Sequence, residues 1–472
     1  YTALLFFITW LTSRKSNNQS FFVGNKVSPW YVVAYGMIGA SLSGVTFMSV
    51  PGWVHDTQFS YILVVLGYLV GYAIIATVLL PLYYRLNLTS IYAYLEKRFG
   101  FWTYKTGAGF FLLSRTLGAS LRMFLVINVL QVFVFDVWGI PFWVNGLIFI
   151  SLIILYTFKG GIKTIVWTDT MQTTFMLLAV VVSIVFICKE LHLNFSGMVT
   201  KVWDSSISNI VVTDITSRQH WLKQFFSGMF ITIVMTGLDQ EMMQKNLSCK
   251  NLKDAQTNMF TFSFTLIFVN LIFLFLGAVL LFYAQANAIS VTHTDDLFPT
   301  VAMQHLGQIA GLVFLIGLVS AAYPSADGAL TSLTTSFCID FLNFEKKTDI
   351  PEKKKIRTRY AVHLSIAALF LAVIVVFQMF FNDRAIIDKL FTIAGYTYGP
   401  LLGFYSFGLF TKFQVKDRWV PYIAVASPVV CYILSANSSA LMNGYKFGFE
   451  LLILNGLLTF IGLLLIRKKV DL

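Results

Sequence analysis

The stretch GMIGASLSGVTFMSVPGW, residues 36–53, lies in a segment that is otherwise apolar enough to cross a lipid bilayer. Small and hydroxylated side chains fill its middle, and Pro51-Gly52 close it. In hydrocarbon every backbone N–H and C=O group needs an internal partner, so a loosened helix is tolerated only where it lines a cavity. Unwound carbonyl groups at such a place can ligate a cation. The stretch therefore predicts an interrupted membrane helix beside a buried binding site.

The composition of the whole chain is that of a polytopic membrane protein. It has 472 residues, of which 57% are hydrophobic and 12% charged, and its mean hydropathy is +0.74. About thirteen apolar stretches are predicted to span the bilayer. They are residues 1–11, 31–57, 60–84, 103–136, 140–158, 164–189, 218–242, 254–285, 304–340, 356–381, 386–411, 419–436 and 447–466. The first shows no basic region or cleavage site, so it is not predicted to be a signal peptide.

Basic residues alternate from one predicted loop to the next. One set of loops holds most of the 34 Lys and Arg residues, including the run from Lys346 to Arg359, whereas the opposite set includes Asp295 and Asp296. Because positive charge marks the cytoplasmic side of membrane proteins, the C-terminus is predicted to be cytoplasmic and the N-terminus outside. The net charge of +12 is thus ascribed to membrane topology and not to nucleic-acid binding.

The cysteines and the loops indicate a single membrane-embedded unit. The four cysteines include no CxxC pair, so neither a disulfide framework nor a cysteine metal site is predicted. No connection is long enough for a second soluble domain. The two longest connections, 189–219 and 283–304, are expected outside, where they have room for short helices. No obligate protein partner is predicted.

Two arginines lie within the predicted span 103–136. Arg115 and Arg122 are seven residues apart and therefore share one helix face. Ionisable side chains inside a span are costly and mark functional sites. Arg122, nearer the middle of the membrane, is predicted to bind a substrate carboxylate through its planar guanidinium. Pairing with buried carboxylates or backbone carbonyls is the structural alternative for both residues.

Two aspartates are candidates for cation binding. Asp169 lies near the cytoplasmic end of the span 164–189, where it is either a cation ligand or a carboxylate placed at a helix N-terminus. The span 304–340 contains SAAYPSADGALTSLTTSFCID, in which Pro324 leaves one backbone carbonyl without its usual donor. Together with Asp327, its hydroxyl and carbonyl oxygens are hard ligands that suit Na+. The hydroxyl groups alone are also typical of helix–helix contacts.

Two further polar groups stand at the ends or breaks of spans. A helix break is predicted near Pro400, which makes Tyr396 and Tyr398 candidates to face a cavity. At the cytoplasmic edge of the span 218–242, the segment Asp239-Gln240-Glu241 is predicted to form gate or interface contacts and not to ligate an ion.

Five segments together resemble the sodium/solute symporter family of the sodium/glucose cotransporter superfamily, in its bacterial form. They are GASLSGVTF, GGIKTIVWTDTMQ, DQEMMQKNL, YPSADGALTSLTTSFCID and GYTYGPLLG, in that order along the chain. The resemblance implies an all-α, LeuT-like fold in one transmembrane domain, residues 1–472. It further implies two inverted five-helix repeats, 31–189 and 218–411, joined by an external loop, 190–217, with extra helices in 1–30 and 412–472.

The resemblance also implies where ions and solute bind. Its Na+ site lies between the spans 31–57 and 304–340, with the carbonyls of Gly39, Leu42 and Ala321 and the hydroxyl of Ser325 as ligands. The family often has two adjacent serines where this chain has Pro324-Ser325, so one hydroxyl is missing and the charge of Asp327 is expected to compensate. Asp169 matches an aspartate linked to ion exit or to a second Na+. The substrate contacts implied or proposed are Ser41, Ser43, Thr46, Arg122 and Tyr396.

The predicted function is Na+-coupled symport of a small polar organic solute across the cell (inner) membrane by alternating access. Arg122 favours a carboxylate-bearing solute such as a sugar acid. A galactose site is disfavoured, because Val65 stands where sugar-binding members place a polar group and 260–282 contains no lysine. Proton coupling, or a neutral sugar or inositol as solute, is the alternative. A membrane sensor would need a signalling domain and a channel would need a pore loop, and neither is visible in the sequence, so both are disfavoured. An enzyme is also not predicted, because the spans contain no nucleophile–base pair.

Overall fold

The computed structural model describes residues 1–13, 17–158, 160–347, 349–380 and 386–468, with the backbone alone of 386–388. Every residue predicted for a site lies within these ranges. The described part of the chain is helical throughout and contains no strand. The predicted all-α class is therefore confirmed.

Twenty α-helices follow one another along the described chain. They are α1 (Thr2–Ser13), α2 (Asn18–Val23), α3 (Trp30–Thr57), α4 (Tyr61–Ile74), α5 (Leu80–Arg85), α6 (Ala93–Arg98), α7 (Phe101–Leu130), α8 (Phe142–Thr157), α9 (Ile162–Glu190), α10 (Phe195–Trp203), α11 (Trp221–Thr232), α12 (Gln240–Leu247), α13 (Leu252–Ala286), α14 (Leu297–Thr300), α15 (Gly307–Ser336), α16 (Glu352–Phe380), α17 (Ile386–Phe410), α18 (Val420–Ala436), α19 (Ser438–Leu441) and α20 (Leu451–Leu465). Short π-helical turns extend several of them, as at Ile233–Gly237 after α11 and Phe337–Phe341 after α15.

The helices that are long and apolar enough to cross a membrane are fewer than the thirteen spans that the sequence predicts. Among the described residues, eight helices are long and apolar enough to cross a membrane, or nine if the bent pair α11–α12 forms one span. Three more apolar helices, α1, α8 and α20, have 10–17 residues and are short for a full crossing. The figure of thirteen spans therefore stays a prediction.

Among the described residues, α3 is interrupted and a bend separates α11 from α12, and the first of these interruptions is the predicted one. Within α3, Ser43 has φ 60° and ψ 173°, which are not helical dihedral angles. The second follows the π turn after α11, where the chain bends by 65° into α12. Asp239 caps α12, since its carboxylate accepts hydrogen bonds from the N–H groups of Glu241 at 2.9 Å and Met242 at 3.3 Å. Both interruptions place polar groups inside the helical bundle.

The helix break predicted near Pro400 is wrong, because α17 continues from Ile386 to Phe410 through the proline. A proline has no N–H for the carbonyl four residues earlier, which here belongs to Tyr396. The side-chain amide of Asn455 on α20 supplies that donor, 2.9 Å from the carbonyl of Tyr396 and 3.0 Å from that of Gly395. A neighbouring helix thus restores the bond that the proline removes, and the helix needs no break.

Glycines allow α3 to approach its neighbours closely. A Cβ atom on Gly36 would lie 3.0 Å from Cβ of Asp169 on α9, and one on Gly39 would collide with the hydroxyl of Thr173. One on Gly44 would collide with Val126 of α7 and lie 3.7 Å from Ala322 of α15. The interrupted helix is therefore held in contact with the three helices that carry the predicted charged residues.

The long connections and the cysteines complete the fold. The connection after α9 contains the short helix α10, and the one after α13 contains α14, as the sequence predicts. All four cysteines, Cys188, Cys249, Cys338 and Cys431, are buried with free thiols.

Candidate transport site

A cavity lies beside the interruption of α3. Its lining comes from α3, α4, α7, α11, the π turn after α11, α12, α13 and α17. The residues of α3 that line it include Ser41, Ser43 and Thr46, and α7 contributes Arg115 and Arg122. Four of the five predicted substrate contacts therefore meet at one cavity, and the fifth, Tyr396, does not.

Tyr396 instead faces the neighbouring helix α18. Its ring contacts that of Tyr432, with centroids 6.1 Å apart. Two positions along a helix differ in direction by roughly 200°, so Tyr398 faces inward and donates a hydrogen bond to Asp239 at 2.6 Å. The sequence alone does not tell which of the two tyrosines faces a cavity, and the continuous α17 turns them in opposite directions.

The two arginines of α7 have different surroundings. The guanidinium of Arg115 donates to the carboxylate of Glu241 and lies 3.9 Å from that of Asp239. Arg122 is only 7% exposed. Among the described residues it forms no hydrogen bond or ion pair, and its Nε has no partner. Arg115 is therefore paired within the protein, whereas Arg122 brings to the cavity a guanidinium without an ion pair among the described residues.

The wall formed by α4 and α13 was not found from the sequence. Tyr61, Tyr68 and Tyr72, at spacings of seven and four, share one face of α4 and line the cavity. The hydroxyl groups of Tyr61 and Tyr68 are 3.2 Å apart. Asn270 of α13 lines the same cavity. The available signal for it was an asparagine within the apolar stretch 266–282, whereas the prediction rested only on the missing lysine in 260–282.

The predicted ion ligands lie where α3 crosses α15. The N–H of Gly39 donates to the hydroxyl of Thr173 on α9 at 3.1 Å, and a Cβ on Gly39 would lie 3.5 Å from Pro324. The hydroxyl of Ser325 donates to the carbonyl of Ala322 at 2.9 Å, which leaves its lone pairs available. The turn that contains Gly39 and Leu42 is thus adjacent to the turn that contains Ala321 and Ser325. Carbonyl and hydroxyl oxygens of this kind suit Na+, and the described residues hold no cluster of acidic, histidine or cysteine groups typical of a transition metal.

Asp327 is buried near this crossing but is bonded on another side of α15. Its Oδ2 accepts a hydrogen bond from the hydroxyl of Tyr156 on α8 at 2.7 Å. Its Oδ1 has no partner among the described residues. Asp169 and Lys245 both act on it electrostatically. Asp327 therefore lies two residues from Ser325 on the helix of the predicted ion site, while its hydrogen bond is to α8.

Asp169 already has a cationic partner within the protein. The Nζ of Lys245 on α12 lies 2.7 Å from Oδ2 of Asp169, and both side chains are buried. The same Nζ lies 3.6 Å from Oε1 of Glu241, whose other oxygen accepts from Arg115. Sequence reasoning treated Asp169 as a cation ligand or a helix-end charge and did not consider Lys245. A single lysine just after the acidic segment 239–241 was the available signal.

A cavity bounded by two interrupted helices in a bundle of apolar helices is the architecture of a secondary transporter. The chain belongs to the sodium:solute symporter family, whose sequence profile matches residues 21–414. It is accordingly a multi-pass membrane protein that couples the movement of a small solute to Na+.

Several characterised proteins are similar to this chain. The sodium/sialic acid symporter NanT of Aliivibrio fischeri is 24% identical over 92% of this chain and 85% of its own. The sodium/sialic acid symporter SiaT of Proteus mirabilis is 22% identical over 94% of this chain and 89% of its own. The sodium-coupled monocarboxylate transporter 2 of Danio rerio is 23% identical over 84% of this chain and 64% of its own.

Solved structures agree with the helical architecture. A substrate-bound outward-open state of a Na+-coupled sialic acid symporter covers 100% of this chain and 98% of its own, with a TM-score of 0.82 and 20% identity. A nucleobase–cation symporter in a closed conformation gives a TM-score of 0.57 at 12% identity, over 93% of this chain and 92% of its own. At these identities the likeness shows a shared fold, and the fold is LeuT-like.

Proposed function

We propose that the protein imports a carboxylate-bearing polar solute, such as a sugar acid, together with Na+. The observation that carries this proposal is the environment of Arg122, a buried cation at the cavity without a carboxylate partner among the described residues. The described lining contains no acidic residue. A buried charge is costly unless it is paired, so an anionic solute is the group that would complete this site.

The names of the relatives support the same class of solute. Two act on sialic acid and others on monocarboxylates, all of which carry a carboxylate. Under the proposal the carboxylate binds Arg122, and Ser41, Ser43 and Thr46 contact the polar body of the solute.

The proposed Na+ ligands are the carbonyls of Gly39, Leu42 and Ala321 and the hydroxyl of Ser325. The packing of Gly39 against Thr173 and Pro324 supports a joint site on α3 and α15. Asp327 contributes negative charge near the site, and Asp169 lies on the path of ion release. Each Na+ that crosses 100 mV supplies about 2.3 kcal/mol, which supports a solute gradient of roughly fifty-fold.

The proposed topology has thirteen spans. Nine of them are the helices that are long and apolar enough to cross a membrane, with α11–α12 counted as one. The other four are the short apolar helices α1, α8 and α20 and the longer helix α17. Segments 31–189 and 218–411 form the inverted repeats, and each begins with an interrupted helix, α3 or α11–α12. The N-terminus is outside and the C-terminus is cytoplasmic, and transport needs no protein partner.

The test measures the thermal stability of the purified protein, and solute uptake by liposomes that contain it, in NaCl or choline chloride at equal ionic strength. The solutes are sialic and uronic acids, neutral sugars, inositols, monocarboxylates, amino acids and vitamins. A ligand at a hundred times its Kd stabilises the folded state by about 2.7 kcal/mol, and we expect such a shift with an acid and only in Na+. A shift with a neutral sugar alone would contradict the carboxylate proposal, and a shift indifferent to Na+ would contradict the ion site.

Arg122→Leu is the matching variant, with Arg122→Lys as the control that keeps the charge and loses the planar fork. Because Arg122 has no partner in the described protein, its removal should not lower the melting temperature measured without solute. Acid binding should be lost in Arg122→Leu and weakened in Arg122→Lys. Unchanged acid uptake by Arg122→Leu would exclude the proposed carboxylate contact.

A further inference from the structure

We propose that Asn270 selects among carboxylates, so that the solute must also carry a hydroxyl or amide N–H donor. This inference rests on the proposed function, since it assumes that the acid group is held by Arg122. It restricts the substrate to hydroxylated or N-acylated acids and excludes simple alkyl or aryl monocarboxylates.

The first support is the unsatisfied oxygen of Asn270. Its Nδ2 donates to the carbonyl of Leu266 at 2.8 Å. Because only the NH2 group of the amide can donate to a carbonyl, this bond fixes which amide atom is the oxygen. Oδ1 is buried, has no partner among the described residues, and belongs to a residue that lines the cavity. The lining of the cavity thus includes a residue whose hydrogen-bond acceptor is unsatisfied.

The second support is the location of the two polar groups on different helices. Arg122 belongs to α7 and Asn270 to α13, and both line the same cavity as the interrupted α3. One supplies donors for an anion, and the other supplies an acceptor for a neutral donor. A solute that satisfies both must have a carboxylate and, apart from it, an O–H or N–H group.

The third support is the aromatic wall that α4 adds to the same cavity. Tyr61 and Tyr72 are 5% and 3% exposed, and their rings with that of Tyr68 form one face of α4. Such rings offer flat apolar surfaces with a polar hydroxyl at the tip. Together with Thr232 and Thr236 of α11 and its π turn, they suit a ring-shaped or branched solute with both C–H and O–H groups.

An unpartnered buried acceptor discriminates strongly between solutes. A simple acid that fills the cavity leaves Oδ1 of Asn270 without a hydrogen bond, and a site built to bind a hydroxyl rejects the analogue that lacks it by large factors. A hydroxylated acid instead satisfies this oxygen. The cavity therefore distinguishes sugar acids from the monocarboxylates that other similar transporters carry.

The experiment measures Na+-dependent binding to the full chain in detergent. The probes are N-acetylneuraminate, glucuronate and cyclohexanecarboxylate, the last a ring acid without hydroxyl groups. The variant is Asn270→Leu, which keeps the approximate shape and removes the acceptor. Asn287→Leu is the matched control, because Asn287 forms the same bond to the carbonyl four residues earlier, Tyr283, at 2.9 Å but does not line the cavity.

The wild-type protein and Asn287→Leu should bind at least one hydroxylated acid more than about tenfold tighter than cyclohexanecarboxylate. Asn270→Leu should lose most of this preference, while its affinity for cyclohexanecarboxylate stays within about twofold. An equal loss for both kinds of acid, or an unchanged preference, would overturn the role of Asn270 and leave the Arg122 site intact. If no acid binds the wild type, the proposed function fails as well, and if the wild type prefers the unhydroxylated acid, this inference alone fails.

Discussion

Lys245 and Asp169 form an ion pair of 2.7 Å in which neither side chain reaches solvent. The pair connects α12, which follows the bend, to α9. Glu241 on the neighbouring turn of α12 links it onward to Arg115 of α7. Three helices around this buried polar cluster are thus joined by side-chain charges, and the stability of the bundle should depend on their balance.

Lys245→Met should strongly destabilise the protein, because it leaves the carboxylate of Asp169 buried without its cation. Removing one partner of a buried pair costs about 3–5 kcal/mol. The measurement is the melting temperature in detergent, compared with that of the double variant Lys245→Met/Asp169→Asn, which removes both charges. The double variant should recover much of the loss. If the single variant melts like the wild type, the pair does not stabilise the fold.

Gly328→Ala should disturb the same cluster from another helix. An added Cβ would lie 2.6 Å from Cδ and 3.0 Å from Cγ of Glu241, and it would collide with a carboxylate oxygen. We expect destabilisation of about 1–3 kcal/mol, measured as a lower melting temperature. Gly118→Ala is the control, since its Cβ would meet only Leu390 at 3.7 Å and alanine favours a helix. Equal stability of the two variants would show that Glu241 has room to move.

Ser325→Ala should weaken Na+ activation without a comparable loss of stability. The variant removes one hydroxyl from a proposed site whose other ligands are backbone carbonyls. Because the loss of this ligand costs about the energy of one hydrogen bond, the Na+ concentration for half-maximal uptake should rise several-fold. Ser332→Ala, two turns further along α15, is the matched control, because its hydroxyl also donates three residues back, to Ala329 at 3.1 Å. The same Na+ dependence in both variants would remove Ser325 from the site.

Asn455→Leu should destabilise the pairing of α17 with α20. It leaves the carbonyls of Tyr396 and Gly395 without their side-chain donor, at a cost of about 1–3 kcal/mol. The added change Pro400→Ala restores a backbone N–H four residues after Tyr396 and should recover part of the melting temperature. If Pro400→Ala shifts the melting temperature of the wild type and of Asn455→Leu by the same amount, the two groups do not compensate each other.

The sequence predicted the features that follow from local composition. Residues 36–53 indicated the interruption at Ser43 because small and hydroxylated residues in an apolar span are a local signal. The ion pair of Arg115 is not evident from the sequence, since its partner Glu241 is more than a hundred positions away. The Tyr396 carbonyl and Asn455, and likewise Asp169 and Lys245, meet only in the folded bundle. Long-range pairing of this kind has no periodicity along the chain.

The burial of all four native thiols makes the wild-type protein a suitable background for mapping which side of the membrane each loop faces. A cysteine introduced at exposed Ser206 or at exposed Lys347 would be the most accessible thiol to a membrane-impermeant maleimide. Intact cells should label the first and spare the second, and permeabilised cells should label both. The native cysteines need not be replaced beforehand, so the orientation of a transport-competent chain can be read directly.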